Sequence, residues 1–261
     1  MNLRFFKYQG AGNDFIMIDG RDSNVQLSEN QVNQLCDRHF GIGADGLIII
    51  REHESADFYM EYYNADGAIG SLCGNGSRCA IMFVADLGLT KEQYVFMAAD
   101  GLHRASKEKD QVSLEMNKVN SWLSFGENFL IDTGSPHYLI HSQKIASQDM
   151  NGLGRQIRYS EEFAEEGVNV NLIEYHEDEQ MLSMRTYERG VENETLACGT
   201  GAVAVALSTV LFKIPVVTPV KIKAPGGLLE VDFKFTGEAF QEIILKGPAK
   251  YVFQGTIQVD A

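Results

Sequence analysis

Apolar and polar residues alternate with a period of two along much of the chain, and β-branched residues crowd the same stretches. That pattern marks strands with one face buried. It predicts strands over 3–8, 15–19, 47–51, 58–63 and 112–116. It recurs over 130–132, 138–141, 169–173, 182–187, 220–222, 228–235 and 243–245. Helical spacing is rarer, with candidates over 29–37, 75–87, roughly 146–157, and 200–212. The helices at 75–87 and 200–212 are apolar on nearly every side. A soluble protein hides such a helix only by surrounding it. Each half of the chain is therefore expected to wrap a curved, mostly antiparallel sheet around one central apolar helix. The strand pattern lapses near 117–127, the expected boundary between the halves.

The two halves also repeat one another. YNADGAIGSLCGNGSRCAIMFVADLG (63–88) aligns without gaps to ERGVENETLACGTGAVAVALSTVLFK (188–213). In both, CGxG leads into the apolar helix. A long polar side chain, Asn64 or Arg189, stands nine residues before each cysteine. A weaker match pairs GNDFIMID from Gly12 with GSPHYLIH from Gly134. Asn13 precedes Cys73 by 60 residues, and Ser135 precedes Cys198 by 63. Shared order and near-equal spacing point to a duplicated α/β domain.

Composition narrows the partners. The 261 residues are 44% hydrophobic and 22% charged, ordinary for a soluble globular protein. The formal net charge of -14 argues against nucleic acid and against an anionic membrane surface. The apolar run 202–212 has 11 residues, too few to span a membrane. The start, MNLRFFKYQG, lacks the apolar core of a signal peptide. A cytoplasmic location with free thiols is expected. Cys36, Cys73, Cys79 and Cys198 form no CxxC pair, which argues against a structural metal site.

Cys73 and Cys198 each stand just before a buried helix. A helix start presents N–H groups without partners and partial positive charge. It draws a thiol's pKa down from about 8.5 toward neutrality, and it can hold a carboxylate. Asn75 and Thr200 are placed to cap the first turn. Two such sites brought face to face in a cleft between the halves would reach one carbon from opposite sides. A thiolate would remove a proton from one face, and a thiol would return one to the other. Cys36 and Cys79 read as small buried hydrophobes; the repeat partner of Cys79 is Ala204. Asp14 and Asp66 read as turn formers.

GAGNDF, GIGADGL, YNADG, CGNGSRC, TGSPH, VN at 168–169, YERG and ACGTG together resemble the diaminopimelate epimerase family, in family order and across essentially the whole chain. Proline racemases share the fold but typically carry CGHG where this chain has Asn75. The resemblance implies interconversion of LL- and meso-2,6-diaminopimelate, in lysine and peptidoglycan synthesis, without pyridoxal phosphate or metal. It implies Cys73 and Cys198 as the catalytic pair, tuned by His137 and Glu188. Substrate contacts would come from Asn13, Asn64, Asn169 and Arg189, from Ser135, and from the backbones of Gly74, Asn75, Gly199 and Thr200. It implies domains over 1–118 and 119–248, with a last strand at about 249–261 returning to the first. The expected partner is the small-molecule substrate; the sequence leaves oligomeric state open, a homodimer included.

Many family members have Asn where this chain has Ser135, and Gln where it has Gly46. Both changes bear on the distal end of the substrate. Two other readings stay open: an epimerase or racemase of another amino acid, and a non-catalytic ligand-binding protein on the same fold.

Overall fold

The computed structural model describes residues 1–70 and 72–259. Cα packing divides the chain into two units, Met1–Leu114 with Gly247–Ala261, and Glu115–Lys246.

In the first unit, Asn2–Gly10 pairs antiparallel with both Lys250–Gln258 and Asn13–Asp19. Asn13–Asp19 runs parallel to Gly46–Arg51, which pairs antiparallel with Phe58–Asn64. Phe58–Asn64 is parallel to Gln93–Ala98, and Gly101–Glu108 and Gln111–Met116 follow antiparallel. Helix α1 (Glu29–Cys36) buries Val32, Leu35 and Cys36. A reciprocal Ser28–Gln31 capping box fixes where it begins. Helix α2 (Gly74–Asp86) is buried at every residue from Gly74 to Val84 and touches six strands of its own unit.

The second unit repeats the same succession of pairings. Trp122–Phe125 and Asn128–Asp132 are antiparallel, as are Asn128–Asp132 and Pro136–His141. Pro136–His141 is parallel to Asn169–His176, which is antiparallel to Met181–Glu188. Met181–Glu188 is parallel to Val220–Ala224, and Gly227–Phe235 and Phe240–Pro248 close the order antiparallel. Helix α3 (Met150–Arg158) packs on Tyr187, and Gly154 is what lets it approach. A Cβ at Gly154 would lie 2.3 Å from the Tyr187 ring. Helix α4 (Gly199–Leu211) is buried from Gly201 to Thr209 and is likewise ringed by strands of its unit. The architecture is thus mixed α/β, dominated by sheet, with one apolar helix at the centre of each half.

Several expectations need correction. The helix expected over 146–157 starts later. Ile145–Ser147 is a 3₁₀ turn, and Asp149 takes the N-cap by accepting from Gly152 N at 3.0 Å. A strand, Trp122–Phe125, lies within the stretch 117–127 where the alternating pattern lapses. Gly101–Glu108 hides from pattern reading because its inward positions include His103 and Ala105.

Candidate active site

Cys73 caps α2 itself. Its backbone is extended (φ -112°, ψ 113°), and its sulfur accepts from Gly76 N at 3.4 Å. The expected cap, Asn75, lies one residue inside the helix and serves a different purpose. Its Oδ1 accepts from Arg78 at 2.7 Å, so its Nδ2 donates to Asn13 Oδ1 at 3.1 Å. Asn13 Nδ2 in turn donates to Asp45 Oδ2 at 2.7 Å. The amide of Asn13 is therefore oriented from both ends, with its oxygen 3.8 Å from the Cys73 sulfur. Arg78 is fully buried and donates to the carbonyls of Gly74 and Pro248 as well. Burial pushes its pKa down, the sign expected for a cation held by neutral acceptors.

The turn-former reading holds for Asp66, which accepts from Ala68 N at 2.9 Å, but not for Asp14. Asp14 pairs with Lys7 at 2.8 Å and takes both guanidinium ends of Arg38 at 3.1 and 2.7 Å. Lys7 is only 5% exposed, so the carboxylate answers a buried charge. Burial pushes the Asp14 carboxyl up, but hydrogen bonds from Arg38 and Lys7 outweigh it and bring it to about 2. Arg38 also bridges to Asp45, the partner of Asn13.

In the second unit Cys198 caps α4 (φ -120°, ψ 117°) and is buried. Thr200 Oγ1 lies 3.4 Å from the Cys198 sulfur and 3.0 Å from His137 Nε2. His137 is fully buried, and Asn171 Nδ2 lies 3.0 Å from its Nδ1. Burial, and then the charge of Arg189, push its pKa down to about 3. It is a neutral imidazole at physiological pH, and Thr200 links it to the thiol. Gly201 is required here. A Cβ would meet Asn171 Oδ1 at 2.9 Å, Cys198 Cβ at 3.2 Å and His137 Cε1 at 3.2 Å.

Asn169 holds two neighbours. It donates to Ser135 Oγ at 2.8 Å and accepts from Arg189 N at 2.8 Å. The Arg189 guanidinium is exposed and donates to Glu166 O at 2.8 Å. Glu188 accepts from Thr195 Oγ1 at 3.0 Å. The structure thus gathers Asn13, Cys73, Gly74 and Asn75 in one unit. In the other it gathers His137, Cys198, Gly199 and Thr200, with Asn169 and Glu188 on adjoining strands and Ser135 and Arg189 just beyond strand ends. Cys36 and Cys79 stay in the core; burial pushes the Cys36 thiol up to about 12 and the Cys79 thiol higher still. Among the described residues, no group of three or more His, Cys, Asp or Glu is arranged to hold a metal, and no helix is long and apolar enough to cross a membrane.

A family model for diaminopimelate epimerase matches residues 5–122 and 129–252, which include Cys73 and Cys198. The chain belongs to the diaminopimelate epimerase family. A diaminopimelate epimerase of Flavobacterium psychrophilum is 43% identical over 261 residues, covering 98% of this chain and 100% of its own. Another, of Chlorobaculum tepidum, is 43% identical over 260 residues, covering 95% and 98%. Among solved structures, a PhzF-family phenazine biosynthesis protein of Bacillus anthracis superposes with a TM-score of 0.78 at 14% identity, covering 99% of this chain and all of that one. A probable proline racemase of Agrobacterium radiobacter gives 0.70 at 14% identity, covering 99% and 93%. Those two likenesses concern the fold. As a diaminopimelate epimerase family member the chain is an enzyme, an isomerase.

Within this family chain, position 46 has a local explanation. A Cβ at Gly46 would lie 2.7 Å from the Tyr62 ring and from Tyr63 O. The ring occupies the space a side chain would need, and its hydroxyl donates to Asn64 Oδ1 at 2.9 Å. Tyr62 thereby orients the Asn64 amide. Sequence reading missed Tyr62, Lys7, Asn171 and Thr186. The available signal was VNVN at 168–171, where two Asn on one strand face must find partners once buried.

Proposed function

We propose that the chain interconverts LL- and meso-2,6-diaminopimelate, with Cys73 and Cys198 acting on one α-carbon. When Cys198 is the thiolate, it removes the α-proton from one face. The C–H electron pair spreads into the α-carboxylate, and Cys73 S–H delivers a proton to the opposite face. Cys198 is left as thiol and Cys73 as thiolate, the state from which the reverse reaction runs. The hard step is the carbanion, and helix-start N–H groups suit the charge that develops on the carboxylate. Arg189 and Ser135 serve the distal amino-acid end, the guanidinium as a two-point clamp.

One observation carries this reading. In a chain of this family, two cysteines at matching positions of a duplicated fold each cap the buried central helix of their half. Helix starts that hold thiols also suit carboxylates.

The test is a screen in D2O of the isomers of diaminopimelate, glutamate, proline and lysine. Only diaminopimelate should gain α-deuterium, with its LL and meso forms interconverting. Exchange confined to another amino acid would reassign the substrate, and no exchange with any would leave a ligand-binding protein.

A further inference from the structure

His137 lies in the middle of a hydrogen-bond chain whose directions follow from its ends. Thr186 Oγ1 donates to Asn171 Oδ1 at 2.9 Å. The Asn171 amide nitrogen therefore faces His137 Nδ1, at 3.0 Å, and an amide NH2 can only donate. Nδ1 must then be the acceptor. A neutral imidazole with an accepting Nδ1 carries its proton on Nε2. Nε2 lies 3.0 Å from Thr200 Oγ1, so it donates there. The hydroxyl has one proton of its own, and the Cys198 sulfur lies 3.4 Å away. All the residues of this chain belong to one unit and, Thr200 apart, are buried.

We propose that Asn171 and Thr186 are positioning residues: they hold His137 as its Nε2–H tautomer, so that Thr200 turns its hydroxyl proton toward the Cys198 sulfur. A hydrogen bond donated to sulfur favours thiolate over thiol. The histidine acts as a fixed donor and never as a cation. The other half differs in kind, since the side chain beside Cys73 there presents an acceptor oxygen, Asn13 Oδ1. The value of this inference for catalysis rests on Cys198 being a catalytic thiol, but the tautomer does not.

The test has two parts. Long-range ¹⁵N–¹H correlation spectra of the intact protein at pH 7 should show His137 as the neutral Nε2–H form; an Nδ1–H form or an imidazolium would overturn the proposal. Thr186→Val, which keeps the shape and removes the donor, should let the Asn171 amide turn and bring in the Nδ1–H tautomer. Alkylation of Cys198 by iodoacetamide at pH 7 should slow about tenfold in Thr186→Val and in Thr200→Val, roughly the worth of one hydrogen bond to a charged group. Thr186→Ser and Thr200→Ser should restore it. In turnover, Thr186→Val should lower kcat with KM little changed. Unaltered alkylation in Thr200→Val would also overturn the proposal. The tautomer and alkylation readings need no substrate. A wrong tautomer in an enzyme that Cys198→Ala inactivates therefore sinks this inference alone. Full activity in Cys198→Ala sinks the proposed function instead.

Discussion

Cys73→Ala and Cys198→Ala should each lose epimerase activity by about 10²- to 10⁴-fold, the range for removing a positioned acid or base. On the proposed mechanism the loss should fall on kcat, because each thiol would act at the α-carbon rather than hold the substrate. The two effects should not add in the double variant, since inversion already fails when either sulfur is missing. Cys36→Ala and Cys79→Ala are the controls. Both thiols are held protonated in the core, and any loss there should track stability rather than chemistry. Steady-state rates with LL-diaminopimelate check this, and either active-site variant turning over at the parent rate would contradict the assignment.

Asp14→Asn should destabilise the protein by roughly 3–5 kcal/mol, because it leaves the buried Lys7 ammonium without its carboxylate. The same pair gives stability a definite pH dependence. The folded pKa of Asp14, about 2, lies below its ordinary value of 3.8. The unfolded state thus binds the proton more readily, and stability falls as pH drops. The contribution, about 2 kcal/mol, should be present above about pH 4 and vanish through about pH 2. Urea denaturation at pH 7 and pH 3 should show this acid limb in the parent and a flatter one in Asp14→Asn. A variant within about 0.5 kcal/mol of the parent at pH 7 would mean that Lys7 is stable without its partner. Because Arg38 ties Asp14 to Asp45, and Asp45 orients Asn13, the variant should also weaken activity in excess of its unfolded fraction.

Much of the fold was legible because burial writes itself into sequence. Ala202–Leu207 is apolar on every face, and only a surrounding sheet accommodates that. CGNG and ACGTG announced two equivalent helix starts before any coordinate did. What stayed hidden lacked a local signature. Lys250–Gln258 is an exposed strand with little burial to set its period, and the family resemblance alone suggested it. Asp14 looked like a turn residue because its partners, Lys7 and Arg38, approach only once the strands pair. Asn171 and Thr200 meet His137, and Thr186 meets Asn171, from separate elements, and no window of sequence contains them together. Polar networks are set by tertiary contact, so they fall outside what periodicity can report.

Hydrogen-isotope bookkeeping at low conversion tests the two-thiol account most directly. LL-diaminopimelate is turned over in D2O to a few per cent, and both isomers are recovered for mass spectrometry. If one sulfur takes the proton and the other supplies its replacement, the meso product carries a single deuterium at the inverted carbon and the remaining LL-isomer carries none. Equal labelling of the recovered LL-isomer and the product would mean that one base serves both faces, and the pairing of Cys73 with Cys198 would be wrong.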